Sequence, residues 1–342
     1  MTVTKQKPAV PPVAVTAILQ SSWAVTALRA GIELDVFGAV KDGGTTADDV
    51  ARMVGADQRG TKLLLDALTG LDLMVKKEGC YELTEVAALY LVPSSPLFMG
   101  PYVKRHAEMM KIWERLPECI KSGQPVEQVN TEAEAAEFFP ALASAIFPMG
   151  YATARAVAEQ LEIAALPEGS RVLDLAAGSG VWSIGMAEAN AGLKVDALDF
   201  EPVLRVTREF TEHYGVCEQY SFLPGNWRDV SLPEETYDVA ILGHILHSEG
   251  AEESAGLLEK CYKSMKPGAR LVVAEFIPNE ERTAPAMPLL FALNMYLVTT
   301  AGCVFTLGEL DRLLRGNGFV EAYRLELPYY GKESPVVVAT RR

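Results

Sequence analysis

The sequence predicts an α/β protein: a Rossmann-like doubly wound sheet with a C-terminal reversed hairpin, preceded by a helical winged-helix module. Three observations predict it. Strand-like and helix-like segments alternate from Arg171 onward, a turn of small residues follows the first of those strands, and residues 13–100 carry a mainly helical pattern. Such alternation builds a parallel sheet through right-handed crossovers. At 342 residues the chain is also long for one domain. The division read from it is 1–100 as a winged-helix dimerisation domain, 101–165 as a helical linker and pocket region, and 166–342 as a ligand-binding domain.

In chain order, Ile18, Leu19, Trp23, Val25, Leu28 and Ile32 recur at helical spacing. Gly43-Gly44 breaks the chain. Thr45-Thr46 ahead of Asp48-Asp49 then marks a helix start, because acids are favoured at the positive end of the helix dipole. The next helix covers about Gln58 to Leu71 on Leu63, Leu64, Leu65 and Leu68, and residues 73–83 alternate around Gly79 as a small β-wing. That winged-helix order often serves DNA binding. Residues 1–100, however, hold nine Lys and Arg against eleven Asp and Glu, and the candidate reading helix (Asp57, Arg59, Lys62, Asp66) is nearly neutral. A DNA reader needs a basic face, so dimerisation is the expected role.

Residues 101–165 are amphipathic and helical, with Met109, Met110, Trp113, Leu116, Phe138, Phe139, Phe147 and Met149. These residue types suit either a plain core or the wall of a pocket for a flat aromatic molecule. Strands are expected at 172–175, 195–199, 220–223, 237–243, 269–276, 319–327 and 335–340. Only Pro328 to Ser334 separates the last two, too few residues for a crossover, so they should pair antiparallel. Thr306 and Glu309 form a capping box for the last helix, and Gly316-Asn317-Gly318 closes it. The apolar stretch Pro288 to Phe305 contains Asn294, Tyr296 and two threonines. It reads as a buried helix beside a pocket, since a membrane span needs about 20 consecutive apolar residues.

The bulk numbers exclude some partners. A formal charge of -14 and a pI near 4.9 argue against nucleic acid and anionic membranes, which bind through Lys and Arg. Cys80, Cys119, Cys217, Cys261 and Cys303 are scattered and odd in number, as expected of reduced thiols in a cytoplasmic protein. The four histidines form no H-E-x-x-H pair, so no metal site is expected. Lys5 and Lys7 are followed by Pro8, Pro11 and Pro12, which interrupt any secretory segment.

The chemistry gathers at the first strand of the second half. It runs into Asp174-Leu175-Ala176-Ala177-Gly178-Ser179-Gly180, where small residues let backbone approach a ligand closely. Asp199 ends the next strand and can accept both hydroxyls of a ribose. A dinucleotide fingerprint would carry a third glycine where this chain has Ser183. Asp174 would also repel a pyrophosphate but suits a ligand with an ammonium group, as S-adenosylmethionine has.

On these motifs the whole chain resembles the small-molecule O-methyltransferases that include plant caffeate and flavonoid enzymes and bacterial natural-product enzymes. Trp113, Leu116 and Gly123 are similar to that family's linker, and Asp174 to Gly180 to its cofactor loop, with Ala176 where the first glycine usually sits. Asp199 matches its ribose-binding acid, and Gly225-Asn226-Trp227 its adenine-side turn, with Asn226 in place of an acid. The resemblance implies S-adenosylmethionine as cofactor, held by Asp174, Ala176, Gly178, Gly180, Asp199, Phe200, Asn226, Trp227 and Gly243. It implies His247 as general base and Glu275 as the acid that orients it; a second supporting glutamate is replaced by Val304, and the acid after the histidine by Ser248. Met109, Trp113, Phe147, Met149, His244, Leu290, Asn294 and Met295 are expected around a small aromatic hydroxyl acceptor, in a homodimer joined through residues 13–100. Two alternatives stay open at this point. One is non-methyl chemistry on the bound sulfonium, or methylation of C, N or S; the other is a non-catalytic winged-helix regulator.

Overall fold

The computed structural model describes residues 11–128, 132–327 and 334–342. Lys5, Lys7, Pro8 and most of the Pro328 to Ser334 connection lie outside them. The chain divides into two compact units, Met1–His106 and Ala107–Arg342.

The first unit contains α1 (Val13–Glu33), α2 (Val36–Val40), β1 (Thr45–Thr46), α3 (Ala47–Val54), α4 (Gln58–Gly70), β2 (Met74–Lys77), β3 (Cys80–Leu83) and α5 (Glu85–Tyr90). Its helix starts follow from capping. Thr46 Oγ1 accepts from Asp49 N at 3.2 Å, and Asp57 Oδ1 accepts from Gly60 N at 2.7 Å, each meeting a donor that the first turn leaves unpaired. Glu78 and Gly79 both have positive φ, the backbone hand that closes a tight β2–β3 hairpin. Thr45 and Thr46 add a third strand, giving the order β1-β3-β2, a pairing too short to read from sequence. Val36, Phe37, Val40, Val50, Leu65, Leu68 and Tyr81 form the core beneath.

One surface of this unit is unusual. In α1 only Gly31 and Ile32 are buried, while Ile18 is 73% and Trp23 71% exposed. Among the described residues α1 alone is long and apolar enough to cross a membrane, by length and composition only. The stretch Pro288 to Phe305 is not: its helix is the 13-residue Ala286–Val298, about 20 Å long at 1.5 Å per residue.

After α6 (Gly100–Trp113), which spans the division, come α7 (Leu116–Ser122), α8 (Glu132–Gln160), β4 (Arg171–Leu175), α9 (Val181–Ala189), β5 (Lys194–Asp199) and α10 (Glu201–His213). Then follow β6 (Tyr220–Pro224), β7 (Tyr237–Gly243), α11 (Leu246–Ser264), β8 (Met265–Ala274), α12 (Ala286–Val298), α13 (Leu307–Gly316), β9 (Phe319–Arg324) and β10 (Val336–Arg341). The sheet order is β6-β5-β4-β7-β8-β10-β9. The first five strands run parallel, and β10 inserts antiparallel between β8 and β9. The chain winds outward from β4 to β6 and then crosses back to β7, so the switch point lies at the carboxyl end of β4, where open α/β sheets bind ligands. Leu173, Leu175, Leu242, Val273, Leu257 and Phe319 lie in the main core, and both halves of the Thr306–Glu309 capping box are formed.

Candidate active site

Asp174 lies one residue from the end of β4 and is 1% exposed. Burial, with Asp199 nearby, pushes its carboxyl up to about 7, although Ser183 Oγ donates to Asp174 Oδ2 at 2.5 Å. The loop beyond it is left-handed at three places: Ala176 (φ 59), Gly178 (φ 59) and Gly180 (φ 73). This explains why glycine suits position 176: a Cβ there strains the backbone by about 1 kcal/mol. Ala176→Gly is expected to raise the unfolding free energy, and with it the denaturant midpoint, by no more than about half a kcal/mol, the relieved strain less the added flexibility of the unfolded chain. A lower midpoint would mean that the Ala176 methyl, which packs on the main core, contributes more than the strain costs.

Asp199 ends β5 and binds the loop directly. Its Oδ2 accepts from Gly178 N at 2.9 Å and its Oδ1 from Phe200 N at 2.7 Å, while burial raises its carboxyl to about 6. Asn226 turns its amide oxygen onto Arg228 N at 3.0 Å, and the indole N–H of Trp227 is buried with no partner among the described residues. A Cβ on Gly178 would meet only Ala143 at 3.9 Å, so the loop backbone lies open on that side. Close backbone approach, two carboxylates and an orphaned donor together fit a polar, cationic nucleoside ligand. Gly243, expected beside the cofactor, also lies against an indole. A Cβ there would stand 2.3 Å from Trp182 Cδ1, so its missing side chain makes room for that indole.

His247 is 8% exposed and held on three sides. Its Nδ1 is 2.7 Å from Glu275 Oε2, its main-chain N donates to Glu275 Oε1 at 3.1 Å, and its carbonyl accepts from Cys303 N at 2.8 Å. Burial alone would raise the Glu275 carboxyl, but His247 and its hydrogen bonds hold it below the usual range. An ionised carboxylate there accepts a hydrogen bond from Nδ1–H, which in the neutral ring leaves the Nε2 lone pair for chemistry. Val304 is buried where the resemblance expects a second glutamate; the support comes from the backbone of Cys303 instead.

His244 does not share a helix face with His247. It precedes α11, at φ 59, with its ring centroid 6.1 Å from that of His247. Burial holds it near 4, hence neutral, and its Nδ1 is buried with no partner among the described residues. His244, His247 and Glu275 offer ligand atoms within 4.8 Å of one another, a spacing open to a metal ion, but both Glu275 oxygens already accept from His247.

The expected acceptor residues separate. Trp113 Nε1 donates to Asn294 Oδ1 at 2.9 Å, and Trp113 packs against a small cluster in which Met295 is buried. Met109 is half-buried, whereas Met149 is 37% and Leu290 53% exposed. Phe147 belongs to the core: it is fully buried and stacks on Phe210 of α10 at 4.0 Å between centroids. Its full burial, with Phe210 stacked on it and Tyr151 of α8 also alongside, leaves the ring to packing. Around His247 the structure places aromatics that sequence reasoning missed. Phe291 meets its ring edge-on at 4.8 Å, Phe276 lies at 6.0 Å, and Trp182 is 6.0 Å from His244. A signal existed for two of them, since Phe276 follows Glu275 and Phe291 adjoins Leu290 in the apolar helix.

Comparison with known proteins gives two family matches: residues 143–320 match an O-methyltransferase domain and residues 16–93 an O-methyltransferase dimerisation domain. The chain is 26% identical over 318 residues to a 3-hydroxy-5-methyl-1-naphthoate 3-O-methyltransferase of Streptomyces sahachiroi, covering 91% of this chain and 90% of that one. It is 29% identical over 317 residues to human acetylserotonin O-methyltransferase, covering 85% and 88%. The human N-acetylserotonin methyltransferase structure in complex with SAM has the same fold, with a TM-score of 0.77 at 24% identity, covering 100% and 99%.

Proposed function

The chain belongs to the O-methyltransferase family, and from that premise we propose that it methylates a hydroxyl on a flat aromatic acceptor, with His247 as general base. One observation carries the reading: His247 has Nδ1 bound to the ionised Glu275 and sits among Phe276, Phe291 and His244. The cofactor is S-adenosylmethionine, which when bound supplies an electrophilic methyl group on a sulfonium. The loop backbone at Gly178 and Gly180 would receive it, with Asp199 toward the ribose hydroxyls, Asp174 toward the ammonium end, and Asn226 and Trp227 on the adenine side. His247 Nε2 accepts the acceptor's hydroxyl proton as the oxygen becomes a nucleophile, and Glu275 stabilises the resulting imidazolium. The aromatic side chains exclude water and align the acceptor, which is where positioning contributes most.

The work divides along the chain as dimerisation in 1–100, an acceptor wall in 101–165, and cofactor binding with catalysis in 166–342. A second copy of this chain covers the apolar face of α1, which falls in the matched dimerisation region. The helix–helix–wing arrangement reads as a winged helix turned to that use. The acidic balance and free cysteines favour a cytoplasmic enzyme with neither nucleic acid nor membrane as partner.

Incubation with methyl-labelled cofactor and a panel of naphthols, phenols, thiols and amines is expected to label the phenolic acceptors. Label on thiols or amines alone would overturn the hydroxyl reading. Light scattering is expected to give twice the chain mass, and Trp23→Asp, which puts a charge into the α1 face, to give the monomer. A monomeric wild type would remove the dimerisation role.

A further inference from the structure

Ser183 stands where a dinucleotide loop would have its third glycine, and it is fully buried in the first turn of α9. A serine in a helix usually returns its hydroxyl to a carbonyl of the preceding turn. Here Gly180 O lies at 3.2 Å, while the shorter contact, 2.5 Å, goes to Asp174 Oδ2. With its one proton directed to Asp174, Ser183 Oγ accepts from Tyr220 Oη at 3.0 Å. A chain of two hydrogen bonds therefore runs from β6 through α9 to β4, every donor pointing toward the carboxylate.

The surroundings give that direction a purpose. Asp199 of β5 is the other acid beside Asp174; from β7 the neighbour in register is the apolar Ile241; and Tyr220 itself has Glu188 and Cys217 near it. None of these groups is a cation, so in the free protein a charge on Asp174 is opposed by burial and by Asp199. Hydrogen bonds donated to a carboxylate favour its ionised form.

Resting on the reading that Asp174 receives the cofactor's ammonium, we propose that Ser183 and Tyr220 are positioning residues whose relay orients Asp174 and couples cofactor binding to release of its proton. With an ammonium beside it, Asp174 would gain the missing cation and ionise, its proton leaving to solvent, while the Ser183 hydroxyl stays fixed by Tyr220.

Calorimetric titration of S-adenosylmethionine into the full chain, from pH 5.5 to 8.5 in two buffers of different ionisation enthalpy, tests this without any acceptor. The wild type should release a fraction of a proton per cofactor bound near neutral pH, and its Kd should weaken as pH falls below about 7. Ser183→Ala removes the donor, so the break in Kd should move up by about one pH unit. Affinity would then be about tenfold weaker near pH 6 and unchanged at pH 8.5. Tyr220→Phe should move it the same way by less, and it keeps the ring if Ser183→Ala fails to fold. Equal weakening at every pH, or wild-type binding without proton release, overturns the relay. Absence of cofactor binding to the wild type at any pH overturns the loop reading itself.

Discussion

His247→Ala is expected to lower turnover of a hydroxyl acceptor by about 10²- to 10⁴-fold while leaving the Kd for S-adenosylmethionine unchanged, the usual range for removing a positioned general base. The effect should be confined to the proton transfer, because the main chain at 247 keeps its own anchors. Its N–H donates to Glu275 and its carbonyl accepts from Cys303, and neither bond needs the imidazole. The loss should also depend on the acceptor. An acidic phenol is already partly ionised near neutrality and needs little help, so its rate should fall least, and a weakly acidic phenol should fall most. A series of substituted phenols measured at fixed pH tests the slope. A loss independent of phenol acidity would make His247 a packing residue that merely shapes the site.

Asp199→Ala is expected to weaken cofactor binding by about 10²-fold, since hydrogen bonds to a charged group contribute roughly 1.5–3 kcal/mol and on the proposed reading Asp199 would accept from the ribose hydroxyls. Alanine also removes the bonds to Gly178 N and Phe200 N, so part of this loss comes from the loop. Asp199→Asn separates the two, because its single oxygen can still accept one of those donors. The same variant carries an opposite prediction for stability. The Asp199 carboxyl is raised to about 6 in the fold, above its ordinary value near 4. Between those values the native state binds more protons than the unfolded one, so this group costs stability above pH 6 and the cost fades toward pH 4. The free asparagine variant should therefore melt higher than the free wild type at pH 8, with the advantage gone near pH 4.5. A variant that melts lower at pH 8 would mean the lost backbone bond outweighs the buried charge.

The elements that were legible in the sequence are those written locally. The strands from Arg171 onward, the hairpin at Gly79 and the Thr306 capping box each depend on residues a few positions apart, and they form in the expected order. Their bounds differ in places: β8 begins four residues before the expected 269 and ends at Ala274, and β9 stops at Arg324 rather than 327. The antiparallel pairing of the last two strands followed from a connection too short for a crossover; that the later strand would lie inside the sheet did not. In the site, Glu275 and His247, which the resemblance paired, lie within hydrogen-bond distance. The rest was hidden for identifiable reasons. Phe147 and Met295 have the side chains of a pocket wall, but the same apolar chemistry packs a core, and only the ring stack on Phe210 and the cluster around Cys119 decide between them. Trp182 and Gly243 meet across the ends of two elements, a contact without local spacing. Cys303 supports His247 through a backbone N–H, which any residue but proline would provide, so its identity carries no signal.

The placement of β10 between β8 and β9 bears on how the molecule is made. Synthesis is vectorial, at about 5–20 residues per second, and domains tend to fold as they emerge. Each of the strands β5 to β8 leaves the ribosome after a strand it pairs with, but β9 emerges before the strand that joins it to the sheet. Until residues 336–341 arrive, β9 has no ladder partner, and β8 presents an unpaired edge to any nascent chain nearby. Cleavage before Val336 would therefore take out an interior plank rather than trim a border. The fragment would keep its cofactor loop intact in sequence and still be prone to aggregate.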